Sequence, residues 1–164
     1  MLPHLDAAYT LAHYLTRDAT EAEDATQEAI LRAVRYFHTL RNEADARAWL
    51  LAIVRRECYG GRRNRVETVA FDEVPELQLV DQTALPDTEA SRSMLQRRIR
   101  EAVAALPDVL RETLILRELQ HCSYGEIATI TEVPLGTVMS RLSRARARLA
   151  ESLSGFVTFE EEYG

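Results

Sequence analysis

The sequence contains no lysine, and all 20 of its basic residues are arginine. Only planar, permanently charged guanidinium groups are therefore on offer, which suits bidentate bonding to phosphates and base edges, although a GC-rich genome produces the same bias. Cysteine is scarce. Cys58 and Cys122 form neither a disulfide framework nor a metal-ligand spacing, and His121 beside Cys122 has no ligand cluster around it. No metal and no cofactor are expected. No apolar run approaches the ~20 residues of a membrane span, and the opening MLPHLDAAYT lacks the basic start and apolar core of a signal peptide. The expectation is a cytoplasmic protein without membrane insertion. Glycine-rich phosphate loops and nucleophile elbows are also missing, so an enzyme is not expected.

What is present is an ordinary soluble composition, 46% hydrophobic and 28% charged, in 164 residues. That length allows one or two small domains. A net charge of −6 argues against indiscriminate coating of DNA. The charge is segregated, however. Five arginines and one acid lie between Arg55 and Arg65, whereas Val66 to Ala90 holds seven acids and no base. Basic patches separated by an acidic stretch point to two nucleic-acid-facing modules on a self-shielding link.

The most informative stretch is Ser123 to Leu149. Ser123 and Glu126 form a capping box, which starts a short helix with Ile127, Ala128 and Ile130 inward. Thr131 to Pro134 breaks it, since proline disfavours the helical conformation at the residue before it and pre-sets the first turn after it. A second helix is predicted from Pro134 to Ser152. At 100° per residue, Leu135, Val138, Leu142, Ala145 and Leu149 share one side, while Thr137, Ser140, Arg141, Arg144 and Arg148 share another. No acid falls between Pro134 and Ala150. This is the pattern of a helix-turn-helix, whose second helix enters the DNA major groove. The competing reading is an amphipathic surface helix with solvated arginines.

Earlier in the chain, Leu5 to Thr16 carries Leu5, Ala8, Leu11, Ala12 and Leu15 at helical spacing. Thr20 and Glu23 suggest a capping box for a helix reaching about Phe37, with Ala22, Ala25, Ala29 and Val34 inward. Asp24, Gln27 and Glu28 form one patch of this helix, either simple dipole stabilisation or a docking surface. A third helix is predicted from Ala46 to about Tyr59, with Trp49, Leu50, Ile53 and Val54 as core and Gly60-Gly61 as its stop. Glu89 to Ala105 predicts a helix with a stripe of Met94, Leu95, Ile99, Ala102 and Val103. Leu106-Pro107-Asp108 restarts another to about Leu119, with Val109, Leu110, Leu114 and Leu116 inward.

Two segments resemble the extracytoplasmic-function sigma factors of the sigma-70 family, the small bacterial transcription-initiation subunits. YGEIATITEVPLGTVMSRLSRARARL is similar to their fourth region, matching at Tyr124, Glu126, Ile127, Ala128, Val133, Pro134, Gly136, Thr137, Val138, Ser140, Arg141, Leu142, Arg144, Ala145 and Arg146. The family often has Lys or Arg where Met139 stands. AEDATQEAILRAVR is similar to their second region at Asp24, Gln27, Glu28, Leu31, Arg32 and Ala33, and Ala-Trp-Leu recurs at Ala48 to Leu50. The resemblance implies that Asp24, Gln27, Glu28, Leu31 and Arg32 dock on the clamp coiled coil of the largest RNA polymerase subunit, with the polymerase flap as a further partner. It implies that Arg41, Asn42, Arg47, Arg55 and Arg56 track the melted −10 element, the loop Thr39 to Asp45 holding a flipped base. Thr137, Ser140, Arg141, Arg144 and Arg148 would read the −35 element. An anti-sigma factor is the implied regulator.

The expected architecture is all-α: two small helical modules joined by a flexible linker. Residues 1–65 form the polymerase-docking and −10 module, 66–89 the linker, 90–152 the helix-turn-helix module and 153–164 a tail. The expected function is promoter recognition in transcription initiation. A stand-alone helix-turn-helix regulator and a sigma mimic that sequesters an anti-sigma factor are the rival readings.

Overall fold

The structure, a computed structural model, describes the backbone of residues 2–63 and 86–163, with side chains over 3–61 and 90–154. The linker expected at 66–89 therefore lies outside the described residues except for its last four, which open a helix. Among the described residues every regular element is helical: α1 Leu5–Thr16, α2 Ala19–Tyr36, α3 Ala46–Arg63, α4 Pro86–Ala104, α5 Asp108–Glu118, α6 Tyr124–Thr131 and α7 Leu135–Tyr163. No helix among them is long and apolar enough to cross a membrane.

The first three helices form a bundle. Leu11 and Leu15 of α1 and Leu50, Leu51 and Val54 of α3 fill its centre, while α2 contributes the small side chains Ala22, Ala29 and Ala33. Burying a leucine stabilises by roughly 1.5–3 kcal/mol and a methyl group by less. The leucines of α1 and α3 thus supply most of the packing energy, and the alanines let α2 lie close. Thr26, also buried, satisfies its hydroxyl on the Ala22 carbonyl at 2.6 Å.

Several local expectations are corrected here. The N-cap of α2 is Asp18, whose carboxylate accepts the Glu21 amide at 2.8 Å, and not Thr20. Arg17 in the left-handed conformation (φ 59°) ends α1, so the chain turns within two residues and the cap falls early. Val34 is 63% exposed instead of inward. Gly60 and Gly61 do not stop α3, which continues to Arg63. Met94, Leu95 and Ile99 of α4 are exposed, Met94 by 58%, and only Ala102 and Val103 of the expected stripe are buried. Val109 and Leu135 are exposed as well. Helix α7 runs past Ser152 to Tyr163, taking in the segment expected as a tail.

The second group, α4 to α7, packs α5 and α6 beneath α7 and then closes against the first bundle: α1 lies on α5 and α3 on α6. The middle of α5 is consequently enclosed on all sides, with every residue from Leu110 to Leu116 buried. Enclosure forces its polar members to find partners inside the protein. Thr113 donates to the Val109 carbonyl at 2.7 Å. Arg111, 1% exposed, donates from Nε to the Tyr14 carbonyl at 3.2 Å and from Nη1 to the carbonyls of Ala104 (3.1 Å) and Leu106 (2.8 Å); it also pairs with Asp108. Tyr14 and Ala104 lie in the last turns of α1 and α4, where carbonyls have no helical partner. One guanidinium thus caps two helix ends, where a cation is also favoured by the dipoles.

Replacing Arg111 with Met keeps length and removes the donors. Each buried acceptor left unpaired costs about 1–3 kcal/mol. With partial rehydration, Arg111→Met is expected to lower stability by roughly 2–4 kcal/mol in urea unfolding; a loss under 1 kcal/mol would contradict this account of the joint.

Candidate nucleic-acid interface

The helix-turn-helix forms as its residues dictate. The Ser123 hydroxyl accepts the Glu126 amide at 3.1 Å and the Glu126 carboxylate accepts the Ser123 amide at 2.7 Å, a complete capping box. Ile127 and Ile130 are buried, and Thr131 donates to the Ile127 carbonyl at 2.7 Å. Glu132 ends α6 in the left-handed conformation (φ 58°), its amide bonded to the Ala128 carbonyl. The chain then re-enters a helix through Pro134. Val138, Leu142 and Ala145 anchor α7 from beneath.

On the outer side of α7, Arg144 and Arg148 are exposed and Thr137, Ser140 and Arg141 are half-buried. Ser140 donates to the Thr137 carbonyl at 3.2 Å, and Arg144 reaches Ser140 Oγ at 3.5 Å. The five residues therefore make one ridge, about 16 Å long at 1.5 Å per residue. Arg146 lies off it, bonded to Glu118 of α5 at 2.9 Å. Leu135 and Met139 are exposed beside the ridge, on the turns nearest the helix start. Such residues approach base edges in helix-turn-helix complexes, and apolar groups there suit thymine methyls.

The second candidate surface lies on α3 and the turn before it. Arg41 is exposed at that turn, and Asn42 caps it by accepting the Ala44 amide at 3.1 Å. Between α2 and α3 is a groove of about 240 Å³ lined by Arg32, Tyr36, Thr39, Trp49, Ile53, Arg56 and Glu57. Trp49 packs on the core with one side and lines this groove with the other. Arg47, Arg55 and Arg56 do not form a bare basic track, because each meets the second group of helices. Arg47 donates to the backbone carbonyl and side chain of Gln120, Arg55 pairs with Glu112, and Arg56 pairs with Glu132 at 2.6 Å. The Tyr59 hydroxyl donates to Glu112 at 3.3 Å, and the Arg55 guanidinium stacks 4.9 Å from the Tyr59 ring centre. Burial pushes the Glu112 carboxyl up, and Arg55 pulls it back. Burial and the neighbouring Glu112 both push the Tyr59 phenol up, so it remains a donor. The Arg56 hydrogen bond holds the exposed Glu132 carboxyl below its ordinary value. Glu112, Gln120 and Glu132 are long-range partners that sequence spacing does not reveal; the only local sign is a glutamate at a turn position that favours glycine.

The third surface is the outer face of α2. Asp24, Gln27, Glu28 and Leu31 are exposed along one strip, and Val34 extends it. Leu31 is 61% exposed. Arg32 is set apart by an ion pair with Glu57 of α3 (2.9 Å), which braces the two helices, and by one with Glu28 of its own helix (3.5 Å).

The capping box is the element that fixes the start of α6 beneath the α7 ridge. Ser123→Ala removes one of its two bonds and is expected to cost about 1 kcal/mol. Chemical denaturation checks it, and a change under ~0.3 kcal/mol would mean that the box is incidental.

Two family models match the chain. The Sigma-70 region 2 family matches residues 2–67 and the Sigma-70, region 4 family matches residues 96–149. The RNA polymerase sigma-H factor of Pseudomonas aeruginosa is 34% identical over 146 residues, covering 83% of this chain and 75% of that protein. The ECF RNA polymerase sigma-E factor of Haemophilus influenzae is 30% identical over 154 residues, 87% of this chain and 79% of that one. Among solved structures, the sigma factor RpoE of Bartonella quintana, in complex with the anti-sigma factor NepR, superposes with a TM-score of 0.71 at 27% identity over 93% of each chain. With both regions present in order and relatives aligned along most of its length, the chain belongs to the extracytoplasmic-function sigma factors of the sigma-70 family.

Proposed function

We propose that this sigma factor brings cytoplasmic RNA polymerase core to promoters by dividing the work among the three surfaces. The α7 ridge of Thr137, Ser140, Arg141, Arg144 and Arg148 lies in the major groove of the −35 element, its arginines bidentate to guanines or phosphates. The turn before α3 and the arginines Arg41, Arg47, Arg55 and Arg56, with Asn42, follow the melted −10 strand, and the groove walled by Tyr36 and Trp49 receives an unstacked base. Aromatic walls and a basic track are what single-strand capture requires. The α2 strip of Asp24, Gln27, Glu28 and Leu31 docks on the clamp coiled coil, with Arg32 bracing it from behind. The exposed Met94, Leu95 and Ile99 of α4 suit the polymerase flap. The protein acts by binding alone, with no catalytic residue of its own.

The observation that carries this reading is the α2 strip. Leucine and valine exposed beside carboxylates form a protein-binding surface, which an operator-binding regulator does not need. A sigma mimic would need no α7 ridge, and this chain retains it. Control by an anti-sigma factor is supported by the likeness to RpoE, which is solved in complex with one.

Leu31→Ala and Glu28→Gln test the docking strip. Both side chains are exposed, so melting should move little. Core-polymerase affinity should fall about 10-fold or more for Leu31→Ala, the scale of ~1.4 kcal/mol at a buried interface residue. If the parent protein fails to bind core, the sigma reading is lost; if parent and variants bind equally, only the location of the docking surface is. Arg144→Ala should cost ~1–3 kcal/mol in −35 promoter binding by holoenzyme if the contact is bidentate to a base. Unaltered promoter preference would remove Arg144 from the readout.

A further inference from the structure

The outward face of α7 is chemically uneven. Beyond the buried line of Val138, Leu142 and Ala145, Thr137, Arg144 and Arg148 stand on one flank, while Leu135 and Met139 stand on the other, one helical turn apart. These two are 50% and 53% exposed. Arg146, two turns on from Met139 along that flank, is held by Glu118. Between the flanks run Gly136, Ser140, Ser143 and Ala147 at helical spacing, so the centre of the face carries only small side chains. Nothing among the described residues requires Gly136. A side chain there would meet no atom within 4 Å, and its backbone φ is not positive. Glycine costs up to about 1 kcal/mol in a helix relative to alanine. A bare centre with no internal reason is the shape of a helix that something approaches closely from outside.

Leucine and methionine have no hydrogen bonds to offer a base pair. In the major groove thymine alone presents an apolar group, its C5 methyl. Guanine, adenine and cytosine present donors and acceptors that an apolar side chain strips of water without replacing it. Leu135 and Met139 are four residues apart, which spans about 6 Å of helix at 1.5 Å per residue and comes close to two base steps of about 3.4 Å. Methionine adds three rotatable bonds and a polarisable sulfur, so it can follow a methyl group into place. We propose that Leu135 and Met139 are specificity-determining residues, which select one or two adjacent thymine–adenine pairs in the −35 element through the thymine methyl groups. The proposal rests on the reading of α7 as the −35 helix. An arginine at the Met139 position would instead bind guanine O6 and N7, and this chain exchanges that contact for an apolar one. A protein partner fits less well. Two side chains are a small patch beside the roughly 1,200 Å² or more that a stable protein–protein interface buries, and the face around them is basic and hydroxylated.

Holoenzyme reconstituted from the full-length protein and core polymerase selects duplex promoters from a pool randomised over the −35 element. Thymine should be enriched at one position or at two adjacent ones. Those thymines are then replaced by deoxyuridine, which removes the methyl group and keeps the base pair. Affinity of the parent holoenzyme should fall about 4-fold per methyl group, the ~0.8 kcal/mol of one buried apolar carbon at 1.4 kcal/mol per tenfold. Met139→Ala and Leu135→Ala should each narrow the difference between thymine and deoxyuridine promoters, and both together should abolish it. Met139→Arg should move the preference at one of these positions from thymine to guanine. Both side chains are exposed, so the melting temperature of the same preparations should stay unchanged. The proposal is overturned if no thymine is enriched, if the parent binds deoxyuridine as well as thymine, if the double alanine variant still tells them apart, or if Met139→Arg leaves thymine preferred. It is overturned too if the alanine changes weaken core binding and leave the deoxyuridine response intact, since the pair would then serve a protein contact. The two readings fail differently. If α7 does not read the −35 element, no base is enriched there and Arg144→Ala changes nothing. If only the methyl contact is wrong, the −35 preference and its dependence on Arg144 persist without any response to deoxyuridine.

Discussion

Burial of α5 is the constraint from which the rest of the arrangement follows. A helix enclosed on all sides tolerates polar side chains only where each has a partner, and α5 encloses Arg111, Glu112 and Thr113 in succession. Thr113 is satisfied within its own helix. Arg111 finds the open carbonyl ends of α1 and α4, and Glu112 finds Arg55 and Tyr59 of α3. The contacts with Tyr14, Arg55 and Tyr59 each tie α5 to a helix of the first group, and the contact with Ala104 ties it to α4 of its own. The charges on α5 therefore specify how the two halves meet, while the leucines around them supply most of the energy. Hydrophobic contact alone allows many rotations of one bundle on another; a guanidinium aimed at two helix ends allows few.

The same constraint explains why the basic residues of α3 and α7 behave differently. Both helices are arginine-rich and both carry an outward basic face. The α7 ridge has no acid in its sequence neighbourhood; Arg146 pairs with Glu118 off the ridge, and Arg141 lies near enough to Glu112 to help hold its carboxyl down. Arg55 and Arg56 of α3 face acids of α5 and α6 and pair with them, while Arg47 meets the uncharged Gln120. A net charge of −6 is thus distributed so that Arg144 and Arg148 stay exposed on α7 while Arg55 and Arg56 of α3 are paired with acids.

What was legible in the sequence was local. The Ser123–Glu126 box, the Pro134 restart and the wheel of α7 depend on contacts within four residues; the first two hold, and the wheel holds except at Leu135, which is exposed. The helical class and the order of the two regions follow from the same periodicity and from the resemblance it carries. The predicted Thr20 cap gives way to Asp18 because the chain reversal at Arg17 starts α2 early, and that left-handed turn is not encoded by an obvious glycine. Gly60-Gly61 reads as a stop, yet Cys58 and Tyr59 just before it are held in the packed core and the helix is carried through. Tertiary packing outweighs a propensity cost of about 1 kcal/mol per glycine. Periodicity also placed Val34 of α2 and Met94, Leu95 and Ile99 of α4 inward without revealing that they, like Leu31, are exposed. The pairing of Arg55 with Glu112, 57 positions apart, has no local trace at all.

Those uncovered stripes sharpen the physical picture of the chain. Single exposed apolar residues are ordinary on soluble proteins, but here they fall at helical spacing on two helices, one in each half. Neither stripe takes part in the contact between the halves, where α3 meets α6 and α1 meets α5. The contact between the halves consequently leaves both stripes uncovered while it engages Arg47, Arg55 and Arg56 of α3. Which apolar faces stay uncovered is therefore set by the faces that the buried charges of α5 draw inward.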